Sequence, residues 1–519
     1  MNPPRHRQQL VALASLVAGA SIAAASAACS ALIGLDPPPD DQASATDGGA
    51  SSDATTTDGA ASDASSDAAP VVCAPLDAGD GGFAPFAQTT LPDGTSTWSF
   101  FDTSSLTTTT NAFTGGVFDG QYVYFVGKGQ WIARYDATLG AAAFDGGAAW
   151  SVVRVTSLAP VGSIPGGFLG AVFDGRYVYF VPDTIDGATS SVAARFDTRA
   201  ASASLTDPAA WTTFDLSVLN GSGAPLKGFY GGSFDGRYVY FVPHNDGAPD
   251  GRVARYDTKI ADAGTVHAPS DGGDAGDAGD AGPTGFDDVG QWETFDLAGV
   301  SPAAVGFAGA AFDGTSVYFV PSVNDAYDAS VDNGNSAIVA RLLTDASFES
   351  SGSWSTFDLT KVNGEADDFF GGAFDGRNLY LVPRGNGIAV QFDTAAKGFT
   401  VPASWSTYDL ERIITREAGA SPAFTGAAFD GRFVYYVPSA TGFGTVARYD
   451  SLSSFHADCA WSTVDLTQLD AGANAGASNF AGAVFDGTYV YFVPASTGVV
   501  ARFAARSVAA TGPFSRSFL

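Results

Sequence analysis

The pattern F-x-G-[GA]-x-F-D-G occurs seven times in this 519-residue chain, with its second phenylalanine at Phe118, Phe173, Phe234, Phe312, Phe374, Phe429 and Phe485. Successive copies lie 55 to 78 residues apart, so any fold must accommodate one supersecondary unit repeated seven times. Three further segments recur with it. A Tyr-Val-Tyr-Phe-Val-like run follows each copy, its second aromatic being Tyr124, Tyr179, Tyr240, Tyr318, Tyr380, Tyr435 and Tyr491. A Val-Ala-Arg-Tyr-Asp-like run comes next, with Arg134, Arg195, Arg255, Arg341, Arg448 and Arg502, and Gln391 in the fifth copy. A W-x-T-F-D-L-like run recurs at Trp98, Trp150, Trp211, Trp292, Trp354, Trp405 and Trp461.

Each segment is short, rich in β-branched and aromatic residues, and bounded by Gly, Pro or Asp, which predicts a β-strand. The Asp-Gly pair between the first two segments predicts a type I′ hairpin turn, with both residues at positive φ. Six of the seven second strands end at a proline, which cannot donate to a ladder; the exception is Gly127. Runs that are apolar at every position fit small sheets covered on both faces. Seven such sheets make an all-β fold, a seven-bladed β-propeller of four-stranded antiparallel blades preceded by a disordered tether. An open solenoid would need distinct capping units, and neither end carries one. A Trp run precedes the first Phe-Asp-Gly copy, and the last copy ends at Val500-Ala501-Arg502-Phe503 without one. If the Trp strand is outermost in the preceding blade, Trp98 to Asp102 closes the seventh blade and clasps the chain ends. If it begins its own blade there is no clasp. The expectation is the clasp, which seals the ring.

The Gly doublets (Gly115-Gly116, Gly231-Gly232, Gly371-Gly372), the later Tyr and the closing Trp resemble the kelch type of propeller repeat, from about Thr97 to Arg506. That resemblance is one of style and implies no activity.

Length alone would allow three or four domains. The repeats reduce this to one ring over residues 83–507 with a tail at 508–519. The formal charge of −30, from 25 basic and 55 acidic residues, argues against nucleic acid and anionic membrane surfaces as partners. Residues 1–28 read as an export signal, with Arg5 and Arg7 before an Ala-rich apolar run. The run ends in Ser26-Ala27-Ala28-Cys29, which resembles the lipobox of bacterial lipoproteins. The resemblance implies lipidation at Cys29 and, with Ser30 after it, sorting to the outer membrane or cell surface. Ordinary secretion or periplasmic residence after small-residue cleavage, and an uncleaved anchor, are the alternatives. Residues 29–82 form an acidic Ala/Ser/Asp/Gly-rich linker that self-repels and extends.

Most repeated residues have a structural reading. The seven turn aspartates (Asp119, Asp174, Asp235, Asp313, Asp375, Asp430, Asp486) are one per loop, too few for calcium, and read as turn formers. The repeated arginines read as blade-to-blade ion pairs or hydrogen bonds. The seven Trp and fourteen Phe read as core rather than sugar platforms. A ligand site should use residues that break the repeat, such as Trp131, Phe370, Tyr230, Lys227 and Arg384. The insertion Ala261 to Gly285, with Asp-Ala-Gly three times, reads as a disordered loop. His244, His267 and His456 lack metal-site spacing, and no nucleophile elbow or phosphate loop is present. Cys73 and Cys459 are a candidate disulfide in an oxidising compartment.

The sequence therefore predicts an exported, non-enzymatic binding or scaffolding module, monomeric and without cofactor. A protein or glycan partner would sit at a propeller rim, and the membrane would be reached only through a lipid anchor. The alternatives are a polysaccharide hydrolase or lyase using channel-mouth carboxylates, and a structural envelope protein.

Overall fold

The computed structural model describes residue 86 and residues 96–506, except 107–111, 128–130, 159–166, 183, 186–187, 203, 220–223, 247, 260–284, 323–336, 415–420, 440–442 and 473–475. The signal, Cys29, the linker, Cys73, His267, nearly all of the Asp-Ala-Gly loop and the tail lie outside these residues.

Seven four-stranded antiparallel sheets follow one another along the chain. The inner strands of blades 1 to 7 are Phe113–Phe118, Phe168–Phe173, Phe229–Phe234, Phe307–Phe312, Phe369–Phe374, Phe424–Phe429 and Phe480–Phe485. In blades 1 to 6 the fourth, outer strand begins at Trp150, Trp211, Trp292, Trp354, Trp405 and Trp461. The outer strand of blade 7 is Trp98–Asp102, paired to Val499–Ala504 from Trp98↔Phe503 to Asp102↔Val499. The ring is thus a seven-bladed β-propeller closed by its own N-terminal strand, as the clasp expectation holds.

The core consists of seven apolar clusters, one at each seam between neighbouring blades. All seven repeat tryptophans are buried, and at five of the seven seams an outer-strand aromatic of one blade stacks on the Trp of the next, blades 1 and 6 holding Val153 and Val464 instead. Phe214 meets Trp292 at 4.6 Å and 10°, Phe295 meets Trp354 at 4.8 Å and 8°, and the clasp's Phe101 meets Trp150 of blade 1 at 4.4 Å and 11°. Fully burying each such ring contributes roughly 1.5 to 3 kcal/mol. The clasp strand therefore seals the seam between blades 7 and 1 as well as completing blade 7.

In blades 1 to 6 the outer-strand Trp also donates its Nε1–H to a backbone carbonyl six residues earlier, at Phe144, Leu205, Phe286, Phe348, Phe399 or Phe455. Trp98 donates to Phe86, twelve residues earlier, at 3.4 Å. Phe86 is buried between Trp98 and Phe503 of blade 7 and Tyr435 of blade 6. It is the seventh member of this set, which the sequence conceals behind a doubled spacing.

Two expectations need correction. The turn is not type I′: the glycine has positive φ, as at Gly120 (99°) and Gly431 (100°), but none of the seven aspartates does. Asp119 N–H donates to the Tyr122 carbonyl across a turn whose central residues are Gly120 and Gln121, so positive φ falls on the first alone. The aspartate instead spends its carboxylate on the turn. Asp119 Oδ1 accepts from the N–H groups of Gln121 and Tyr122, and Oδ2 from Tyr124 Oη at 2.8 Å. The Asp–Tyr bond recurs in the other six blades at 2.6 to 2.7 Å. The fourteen phenylalanines also divide. The first of each pair is buried, whereas Phe118, Phe173, Phe234, Phe312, Phe374, Phe429 and Phe485 are only partly buried, because they end the inner strand at the turn face.

One blade departs from the core consensus. Tyr436 is fully buried where the other blades hold Phe125, Phe180, Phe241, Phe319, Leu381 and Phe492, and its hydroxyl has no hydrogen-bond partner. Leaving a buried hydroxyl unsatisfied costs about 1 to 3 kcal/mol. Tyr436→Phe is therefore expected to raise stability by about 1 kcal/mol or more in chemical denaturation.

Candidate functional site

The channel is narrowed by a bulge repeated in every inner strand. Register slips between the first Phe and the following residues in all seven blades. The slip carries Gly115, Gly170, Gly231, Gly309, Gly371, Gly426 and Gly482 to the axis, where a Cβ on six of them would lie 3.0 to 3.6 Å from the Cα of the next glycine around the ring. At Gly115, Gly170, Gly309 and Gly371 that approach, 3.0 to 3.3 Å, is tighter than an ordinary Cβ contact, and at all of the seven but Gly115 φ is positive. Close approach and positive φ together account for the first Gly of the motif.

The cavity at the waist is about 170 Å³, and its described wall is almost entirely Gly and Ala. No Asp or Glu is among its described lining residues, so the wall supplies no acid–base pair there. Its large side chains are Tyr230 and Phe370, each the second residue of its inner strand. They meet edge to face at 4.6 Å and 75° across blade 4, which has only Ala308 at that level. Arg384, just after the second strand of blade 5, places its Cζ 5.5 Å from the Phe370 centroid. His244, just after the second strand of blade 3, stands 5.5 Å from Tyr230, with Nδ1 3.0 Å from the Phe307 carbonyl oxygen. The fold thus brings Tyr230, Phe370 and Arg384 together in an arc Arg384–Phe370–Tyr230–His244 over one side of the mouth. Trp131 opens the third strand of blade 1 and Lys227 stands three residues before Tyr230; neither belongs to that arc.

Beside Arg384 lies Asp368, one of two non-glycine residues with positive φ among the described residues, at 54°. Its carboxyl is held above the usual range by burial, against the opposing field of Arg384, and Oδ1 has no hydrogen-bond partner. A raised folded-state pKa adds stability that is full below the unfolded carboxylate pKa and lost as pH rises through the folded value. Asp368→Asn, which tolerates the same φ, is therefore expected to stabilise the protein at neutral pH and to lose that advantage below about pH 3.8. Thermal unfolding at both pH values measures the difference.

The repeated arginines face the seams. Arg134, Arg195, Arg255, Arg448 and Arg502 each lie 3.7 to 4.3 Å over an aromatic ring of their own blade. They also reach the next blade: Arg255 lies 4.1 Å from Phe348, Arg448 4.4 Å from Phe86, and Arg502 4.0 Å from Phe144. Arg195 and Arg502 donate to Tyr256 Oη and Tyr135 Oη of the following blade. Ring faces and hydroxyls thus carry the contact between blades; the Arg255–Glu293 ion pair, at 2.6 Å, lies within blade 3.

No protein-family model matches the chain, and no curated protein matches it significantly. Among solved structures it is similar to a streptogramin B lyase (TM-score 0.43, 13% identity, 78% of this chain and 96% of that one). It is also similar to YCF48 bound to a D1 peptide (TM-score 0.45, 12% identity, 81% and 99%) and to a chain of the mitotic checkpoint complex (TM-score 0.45, 12% identity, 84% and 99%). At these identities the likeness is one of fold, and the blade assignment rests on this chain's own sheets.

Proposed function

We propose that the chain is an exported, tethered β-propeller that binds a protein or glycan partner through the channel mouth on blades 3 to 5, without catalysis. The observation that carries this reading is the Tyr230–Phe370 arc: non-repeating, partly exposed aromatics beside a wall otherwise built of Gly and Ala. In this reading the ring is kelch-like and monomeric, and it does not bind nucleic acid. Cys29 is lipidated and holds the protein at the outer membrane or cell surface. Cys459, beside Trp461 of blade 6, is disulfide-bonded. With Cys29 committed to lipid, Cys73 is its partner, and the end of the linker is pinned to the ring.

A glycan array and affinity capture with the full chain, set against Tyr230→Ala and Phe370→Ala, test the binding site. A ligand retained by the wild type and lost by both variants at unchanged melting temperature supports it. Polysaccharide turnover abolished by a single carboxylate substitution contradicts it. Cys29→Ala should release the protein from membranes, and peptide mapping without reductant should recover Cys73 linked to Cys459.

A further inference from the structure

Six blades hold a guanidinium at the seam that follows them, and the fifth does not. Blade 5 carries Gln391 at the arginine position and Asn378 where Tyr122, Tyr177, Tyr238, Phe433 and Tyr489 supply the ring under the cation. A cavity of about 340 Å³ lies there, between blades 5 and 6 on the turn face, opposite the mouth that holds Tyr230 and Phe370. Its lining keeps the remaining parts of the socket. Phe455 corresponds to Phe348, Phe86 and Phe144, the next-blade rings against which Arg255, Arg448 and Arg502 pack. Ser406 pairs with Gln391 in register as Ser151, Ser355 and Ser462 pair with their arginines, whose Nε–H groups donate to those serines at 3.2 to 3.3 Å. Ser404, 4% exposed, also lines the cavity, and its Oγ has no hydrogen-bond partner.

Charge points the same way. In blade 6, Arg448 sits in the field of Asp430 and Asp450. The matching carboxylates of blade 5 are Asp375, bound by Tyr380, and Asp393, paired to the rim residue Arg377 at 2.8 Å. They lack the inner cation that their counterparts face. Blade 4 shows that the own-blade ring is dispensable: it has Ser316 in place of the aromatic, and Arg341 still lies 4.8 Å over Phe399 of the next blade.

We propose that the cavity between blades 5 and 6 is a binding site for a guanidinium group supplied from outside the chain, as an arginine side chain of a peptide or as a small alkylguanidinium. The group would lie over Phe455 and donate to Ser406 Oγ, in the field of Asp375 and Asp393. A planar fork satisfies several acceptors at once and stacks on a ring, which a compact ammonium does not. This site does not depend on the mouth reading, and either can fail alone.

The test titrates the full chain with ethylguanidinium, ethylammonium and the peptide Gly-Arg-Gly, at concentrations far below denaturing ones, by calorimetry or ligand-observed NMR. Saturable one-to-one binding of ethylguanidinium is expected, with ethylammonium about tenfold weaker. Gln391→Arg should fill the socket from within and abolish binding, and Ser406→Val, a change suited to a strand, should weaken it about fivefold. Tighter binding of Gly-Arg-Gly assigns the site to a protein side chain, and equal binding assigns it to the small cation; both support the proposal. Absence of saturable binding, equal affinity for ethylammonium, or binding indifferent to both substitutions would overturn it.

Discussion

Moving residues 86–102 from the front of the ring to a position behind Arg506, joined by a flexible linker, leaves the propeller folded, whereas deleting them opens it. The strand Trp98–Asp102 completes blade 7 from the wrong end of the chain. Relocation gives blade 7 the same strand order as its neighbours and keeps the ladder and the buried aromatics, losing only the cap that Asp102 provides to the Thr103–Ser105 turn. Deletion removes three buried aromatics, Phe86, Trp98 and Phe101. At roughly 1.5 to 3 kcal/mol each, their loss is of the order of an ordinary domain's whole stability, about 5 to 15 kcal/mol. It also exposes Val499–Ala504 as an unpaired edge. Denaturant unfolding and size exclusion of the two chains separate the outcomes: a cooperative monomer for the relocated form, and loss of the transition or aggregation for the deletion.

Gly371→Val is expected to be nearly as damaging, although it adds only three carbons. Gly371 has φ of 76°, and its added Cβ would lie 3.0 Å from the Cα of Gly426, a backbone atom that cannot swing aside. A β-branched residue at that φ is an outlier in its own right, and strain of this kind costs about 1 to 3 kcal/mol before the clash is counted. The clash presses blade 5 against blade 6 at the axis, where the closed ring has little room to yield. At Gly482 an added Cβ meets no atom within 4 Å, so Gly482→Ala should cost clearly less than Gly371→Ala. Equal costs at the two positions would mean that the waist is not close-packed.

The ring was legible because duplication writes the same packing problem seven times. The blade count follows from the number of Phe-Asp-Gly segments, whereas the order of the Trp segments left two registers open, and only the pairing of Trp98–Asp102 with Val499–Ala504 decides for the clasp. Elsewhere the repeat concealed what it contained. The residue six before each Trp, from Phe144 to Phe455, could have been read from spacing, but its seventh copy, Phe86, stands at twice the distance. Turn chemistry misled because Asp-Gly is a favoured I′ pair, while here the aspartate carboxylate holds two turn amides and a tyrosine hydroxyl. The second phenylalanines recur as faithfully as buried ones, since packing one ring edge against the neighbouring blade is requirement enough. Among the non-repeating residues, Tyr230, Phe370 and Arg384 were recognisable as deviations. Their meeting was not, because it skips blade 4 and depends on Ala308 being small. Gln391 stood out as the missing arginine, but only strand register shows that Ser406 keeps the place of its partner.

Site-specific photocrosslinking in the cells of origin tests partner binding at the mouth. A photoreactive residue is placed at Arg384 in the mouth and, separately, at Arg412 as a control beside the outer strand of blade 5. A discrete adduct is expected from position 384 that is absent from position 412 and is lost when Phe370→Ala is added. Equal adducts from both positions, or an adduct at 384 indifferent to Phe370→Ala, would contradict it.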